Sequence, residues 1–238
     1  MESTLSHDRP LCSPWFYNFA LQTFVKGVVY AAGGLIIEGG ENFVTDSNTI
    51  LASAHRHGIV DVCALAQTVE KLTDHQKKIY FMSKKENFEH RIVGKALRGV
   101  GIFDIDRESM TPIWEQYDVL SHTRKINDQG GILGIFAEGT RRTGDRINKK
   151  DIKIGAAALA LYFGGNIIPA GLGGTENPRL KGLLSVVLEE PIHVSQIPDE
   201  DIQAMGVRDF VHACKPIRQE LYEKLNEAQF RAAQLVKA

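Results

Sequence analysis

Short apolar runs recur along the chain, and each one breaks at glycines or polar residues. Leu35 to Ile37 ends at Gly39-Gly40; Thr49 to Ala54, Ile79 to Ser83, Gly101 to Ile105, Ile132 to Ala137, Asn166 to Leu172 and Leu184 to Leu188 follow. Runs of this length bounded by turn residues read as buried strands. The stretches between them carry helical periodicity. These are Ile59 to Leu72, Phe88 to Leu97, Met110 to Ile126, the alanine-rich Ile154 to Phe163, and Asp209 to Leu235 with Ile217, Leu221 and Leu225 spaced at i+4. Strands alternating with helices predict an α/β fold with a central, mostly parallel sheet flanked by helices. Such folds gather ligands at the carboxyl ends of their strands, and the polar motifs of this chain follow its apolar strands.

The N-terminal stretch reads differently. Ser13 followed by Pro14 is a helix start, an N-cap and a proline at the first helical position. Trp15, Phe16, Tyr17, Phe19, Leu21, Phe24 and Val25 come next. That density of aromatics suits a membrane interface, or equally a helix packed on the domain core. Lys26 divides the apolar sequence, and neither side reaches the roughly 20 residues a spanning helix needs. The expectation is an N-terminal amphipathic segment over 1–33 in peripheral contact with a membrane, a catalytic α/β core over 34–190 and a C-terminal helical segment over 191–238. All three belong to one domain, since no repeat, low-complexity tract or linker marks a second.

Composition narrows the picture only a little. A hydrophobic content of 43% and a net charge of -1 are those of an ordinary globular protein. No basic surplus and no fold-level signature point to nucleic acid. Residues 1–11 are polar, with no apolar stretch of a secretory signal. Cys12, Cys63 and Cys214 are odd in number and far apart, which reads as free thiols in a reducing compartment.

Several clusters carry candidate chemistry. The octapeptide Gly134 to Arg141 ends a strand at Glu138-Gly139-Thr140-Arg141. Arginine offers a planar fork of donors that matches phosphate oxygens, and glycine lets the backbone approach a ligand, so this strand end reads as a phosphate seat. His55, His57 and Asp61 follow the second strand. A histidine there, oriented by a carboxylate, can take a proton from a hydroxyl; the competing reading is a helix start capped by polar groups. Arg107, after Gly101 to Asp106, reads either as a second phosphate ligand or as a surface ion pair with Asp106. Lys84 and Lys85 read as an aid to an anionic substrate or as a solvated turn. Arg142, Arg146, Lys149, Lys150 and Lys153 form a cationic stretch, diluted by Asp145 and Asp151, suited to a phospholipid surface or to solubility. Pro169 within Asn166 to Gly171 suggests a strand end or an edge position. His55, His57, Asp61 and Cys63 are metal-ligand types, which keeps a metal-dependent hydrolase as a rival, but their spacing matches no metal motif. No Gly-x-Ser-x-Gly elbow is present, which argues against a serine hydrolase.

Taken in order, these segments resemble the glycerolipid acyltransferase family, the lysophosphatidate acyltransferase-like proteins. The resemblance rests on Ala54 to Asp61, Gly101 to Arg107, Phe136 to Arg141 and Ile167 to Ala170, with Gly39 to Asn42 and Lys153-Ile154-Gly155 as further matches. It implies transfer of a fatty acyl group from acyl-CoA or acyl carrier protein to a lysophospholipid hydroxyl. It implies His55 as general base, Asp61 as its orienting partner, and Arg107, Glu138, Gly139, Thr140 and Arg141 at the acceptor phosphate or organising its pocket. No metal or organic cofactor is implied, and the place of work is peripheral, on the cytoplasmic side of a membrane, with a partly soluble protein allowed. One departure stands out. The family motif is Asn-His-x-Ser-x-x-Asp, whereas five residues separate His55 from Asp61, three separate His57 from it, and position 54 is alanine. Aligning from the strand selects His55, with His57 as the alternative base; counting back from Asp61 puts Arg56 in the histidine slot. The departure also motivates a non-catalytic lipid-phosphate binder on the same fold.

Overall fold

The computed structural model describes residues 12–45, 48–106, 111–112, 115–175 and 182–237. Its centre is a sheet in the order β1 (Leu35–Glu38), β7 (Leu184–Leu188), β6 (Gly165–Gly173), β2 (Thr49–Ser53), β5 (Ile132–Phe136), β3 (Ile79–Lys84), β4 (Ile102–Ile105). β1 and β7 pair in parallel, as do β6 and β2, β2 and β5, β5 and β3, and β3 and β4. β7 and the short β8 (Ile192–Val194) run antiparallel to β6. The sheet is therefore mostly parallel, with helices on it: α3 (Ile59–Leu72), α4 (Arg91–Gly99), α5 (Tyr117–Asp128), α6 (Gly155–Phe163), the short α7 (Asp199–Ala204) and the long α8 (Val207–Leu235). β2 is buried at every position, as a strand covered on both faces must be.

Pro169 corrects the edge expectation. β6 lies between β2 on one side and β7 and β8 on the other, and Pro169 stands opposite Ala52 of β2. On the other side β8 pairs with 165–167 and β7 with 170–173. The Pro169 carbonyl accepts from the Glu189 N–H at 3.0 Å, so the polar edge of this residue faces the gap where one partner strand gives way to the next. A proline has no ladder N–H to offer, and none is required there.

α8 packs on β6 at unusually close range. A Cβ on Gly171 would stand 2.1 Å from the Ala228 carbonyl oxygen, and one on Gly173 2.1 Å from that of Ala232. The Gln229 side chain fills the contact, accepting from the Leu172 N–H at 3.0 Å and donating to the Leu172 carbonyl at 2.7 Å.

The N-terminal segment forms α1 (Pro14–Ala20), a π-helical turn over Leu21–Val25 and α2 (Lys26–Ala31). The Ser13 hydroxyl caps the Phe16 N–H. Tyr17, Leu21, Val25 and Val29 are the buried stripe. A stripe at every fourth residue drifts around an α-helix of about 3.6 residues per turn; the wider π turn takes up that drift. The Tyr17 hydroxyl accepts from the Ile79 N–H at 3.0 Å, which fixes this segment to β3. The outer face carries Trp15, Phe19, Phe24 and Tyr30. The helix therefore both packs on the core and presents aromatics outward. No helix among the described residues is long and apolar enough to cross a membrane. The three cysteines are buried and free.

A candidate active site at the ends of β2 and β5

β2 and β5 are adjacent parallel strands whose last residues, Ser53 and Phe136, stand side by side. The two loops that leave them, His55 to Gly58 and Ala137 to Arg142, therefore start from the same level of the sheet. The Ala137 N–H donates to the Ser53 carbonyl and the Arg142 N–H to the His55 carbonyl, both at 2.9 Å, so the loops are stitched together.

Asp61 sits in the first turn of α3, wholly buried. Its Oδ2 accepts from the backbone N–H groups of Arg56 (2.7 Å), His57 (2.9 Å) and Gly58 (3.0 Å), and it meets His55 Nδ1 at 2.8 Å. The loop folds tightly enough to do this because Gly58 takes a φ of +91°, a conformation that glycine reaches without a side-chain clash. Burial works hardest on this carboxyl and would raise its pKa. The donors from His55, the Gly58 N–H, the Thr175 hydroxyl and the Arg56 N–H outweigh it and hold the group below its ordinary range. Thr175, beyond the end of β6, is wholly buried, and neither its hydroxyl nor Asp61 Oδ1 makes a hydrogen bond of regular geometry among the described residues.

An ionised Asp61 can only accept, so His55 Nδ1 is the donor of that contact, and it is Nε2 that carries the lone pair in the neutral ring. The ring stacks on Phe136, with centroids 4.0 Å apart, and remains partly exposed. The extra residue in the motif thus does not break the dyad. His57 takes no such place: its backbone joins the Asp61 cradle, while its buried Nδ1 has no partner among the described residues.

Glu138 is turned inward. Its Oε2 accepts from the His55 N–H at 3.0 Å and from Arg56 Nη1 at 2.9 Å, and both charged side chains of that pair are 1% exposed. Gly139 turns the chain at φ +67°, and Thr140 and Arg141 emerge exposed. The Arg141 side chain runs over the base loop, its Cδ 4.0 Å from a Cβ placed on Gly58. Beside Phe136 opens a cavity of about 710 Å³, lined among others by Gly139, Thr140, Lys150, Lys153 and Arg218, and by Asp106 at the end of β4. Arg107 lies outside the described residues. Of the cationic stretch, Arg142 pairs with Asp151 at 3.1 Å and Arg146 with Glu227 at 3.9 Å. On the far side of Phe81, which stacks on Phe136, an apolar groove of about 400 Å³ runs between the N-terminal segment, α3 and α4. No group of three or more His, Cys, Asp or Glu among the described residues could hold a metal ion.

Residues 34–173 match the Acyltransferase family. This chain belongs to that family. It is 28% identical over 180 residues to the 1-acyl-sn-glycerol-3-phosphate acyltransferase of Bacillus subtilis (strain 168), covering 74% of this chain and 82% of the relative. It is 32% identical over 171 residues to the protein of the same name from Streptococcus pneumoniae (strain ATCC BAA-255 / R6), covering 68% of this chain and 58% of the relative. Its fold is similar to that of the crystal structure of the 1-acyl-sn-glycerophosphate (LPA) acyltransferase PlsC from Thermotoga maritima, with a TM-score of 0.51 at 18% identity, over 86% of this chain and 82% of that one. The chain is an acyltransferase with a mixed α/β fold.

Residue motifs single out His55, Asp61 and the Glu138 to Arg141 turn in this acyltransferase, and the fold assembles them at one pair of strand ends. Arg56, Thr175 and Arg218 carry no motif that marks them as part of the site. Arg56 leaves one trace: counting back from Asp61 lands on it. Arg218 belongs to α8, beyond the matched segment, and no pattern in the sequence ties it to this cavity; its Nη2 donates to the Lys149 carbonyl at 3.2 Å.

Proposed function

We propose that this acyltransferase moves a fatty acyl group from a thioester donor, acyl-CoA or acyl carrier protein, to the free hydroxyl of lysophosphatidate. The observation that carries the reading is the His55–Asp61 contact of 2.8 Å with the Arg141 side chain crossing the same loop. His55 Nε2 takes the proton of the acceptor hydroxyl as that oxygen bonds to the thioester carbonyl carbon. Asp61 stabilises the imidazolium that forms. The carbon–sulfur bond then breaks, and the leaving thiolate takes the proton back. No metal or organic cofactor enters the step. Arg141 and Arg107, with Thr140 and the Gly139 turn, receive the acceptor phosphate, and Glu138 organises their loop. Holding both substrates in reacting geometry removes several kcal/mol, on the order of 7 or more, from the barrier.

The apolar groove next to Phe81 suits an acyl chain, and the outward aromatics of α1 and α2 suit peripheral contact with the cytoplasmic face of a phospholipid membrane. The test is a panel of lysophospholipid acceptors with labelled acyl-CoA and acyl-acyl carrier protein. The expected result is transfer to 1-acyl-sn-glycerol 3-phosphate. Transfer to other lysophospholipids at equal or higher kcat/KM, with none preferred for the phosphate monoester, would overturn the acceptor assignment.

A further inference from the structure

We infer that Arg56 is a positioning residue for the base: its buried guanidinium neutralises Glu138, and the pair locks the His55 peptide to the loop that carries Arg141. The inference rests on His55 being the base. The backbone N–H groups of residues 55 to 58 all end on two carboxylate oxygens, His55 on Glu138 Oε2 and the next three on Asp61 Oδ2. The Asp61 oxygen also holds the ring. The Glu138 oxygen touches the His55 peptide and not its ring, and its side chain is buried. Arg56 Nη1 supplies the opposite charge at 2.9 Å and also reaches the carbonyls of His55 (3.3 Å) and Arg142 (3.5 Å). The His55 carbonyl in turn accepts from the Arg142 N–H. Both polar groups of the His55 peptide are therefore held by the neighbouring loop, and one guanidinium nitrogen touches both loops.

Stability alone does not account for this arrangement. A buried ion pair is commonly no better than apolar residues of the same volume. Arg56 Nε and Nη2 are buried with no partner among the described residues, and a buried donor left unpaired is destabilising. What the pair adds to the backbone bonds between the two loops is a fixed place for the His55 N–H against the loop that carries Arg141. The ring has its own support from Asp61 and Phe136; the distance between base and phosphate-facing arginine has the clamp.

The experiment compares wild type, Arg56→Met, Glu138→Gln, Arg56→Met/Glu138→Gln and His55→Ala, following labelled acyl transfer to 1-acyl-sn-glycerol 3-phosphate at varied acceptor concentration, with circular dichroism on each protein. Arg56→Met should lose about 100-fold in kcat, the scale of an ångström of misplacement, with acceptor KM nearly unchanged. The double variant should recover about tenfold of that loss, because the amide introduced by Glu138→Gln still accepts from the His55 N–H and no anion is stranded. Wild-type kcat in Arg56→Met, a loss confined to KM, or a double variant no better than the single one would overturn the clamp. If Arg56→Met fails to fold, Arg56→Lys decides: it keeps the charge without the fork, and should fold with lower kcat and unchanged KM, whereas wild-type kcat would overturn the proposal. An active His55→Ala removes the base assignment itself, and that outcome is distinct from an inactive His55→Ala beside a fully active Arg56→Met.

Discussion

His55 Nδ1 stands 2.8 Å from Asp61 Oδ2 although five residues separate them, because the intervening loop folds its N–H groups inward onto the same oxygen. Nδ1 is therefore held by the carboxylate, which leaves Nε2 for the acceptor. His55→Ala and Asp61→Asn should each lower kcat/KM at least about 100-fold, the low end for loss of a positioned general base. His57→Ala removes a ring whose Nδ1 has no partner among the described residues and should lose less than about tenfold on the same scale. Steady-state kinetics on the purified variants checks this, and the reverse ranking would move the base to His57.

The Asp61 carboxyl also makes stability depend on pH with a definite sign. Its folded pKa lies below the ordinary value of 3.8. Such a group contributes stability that is complete above the unfolded value and is lost as pH falls through the folded one. Thermal unfolding of wild type should therefore fall more steeply than that of Asp61→Asn below about pH 4, and the two curves should converge on acidification. Parallel curves from pH 6 to pH 3 would mean that the cradle does not favour the ionised form.

The apolar runs made the strand order along the chain legible, since a buried parallel strand has to be apolar on both faces. β8 and α7, at 3 and 6 residues, are too short to leave a periodic trace. α4 starts at Arg91 rather than Phe88 because the His90 side chain caps the Val93 N–H, a choice that a propensity count does not contain. At the site, His55, Asp61 and Arg141 were legible as residue types at strand ends. The inward turn of Glu138 was not, because it is decided by Arg56, 82 residues away. A charged side chain reads as solvent-facing until its partner is known. The glycines of β6 were equally silent: Gly171 and Gly173 are small because a helix backbone lies on them, and that contact joins elements far apart in the chain.

Gly171→Ala tests that contact. The added Cβ would meet the Ala228 carbonyl at 2.1 Å and the Gln229 N at 2.4 Å. Both are backbone atoms, so α8 has to shift as a body rather than swing a side chain aside. The expected loss is about 3 kcal/mol, the upper part of the range for overpacking, or roughly 6 to 12 °C in Tm for a chain of this size. Gly144→Ala serves as the comparison, since nothing stands within 4 Å of its Cβ and only its φ of +104° opposes the change. Equal Tm values for the two would show that α8 does not press on β6.

The proposed membrane contact through the N-terminal segment predicts a separation of binding from chemistry. Trp15 is 73% exposed and Tyr30 86%, and neither lines the cavity beside Phe136 or the groove beside Phe81. Replacing both by serine leaves the buried stripe of Tyr17, Leu21, Val25 and Val29 untouched, so the segment should stay docked on the core. Each full burial of a large apolar side chain is worth about 1.5 to 3 kcal/mol. Even partial immersion of two rings should therefore weaken binding to phospholipid vesicles about tenfold or more. Vesicle sedimentation measures that change, and turnover on a detergent-dispersed acceptor should stay at the wild-type level. Unchanged sedimentation would overturn membrane contact through these two rings. Lost turnover in detergent would instead tie these two rings to the fold of the site.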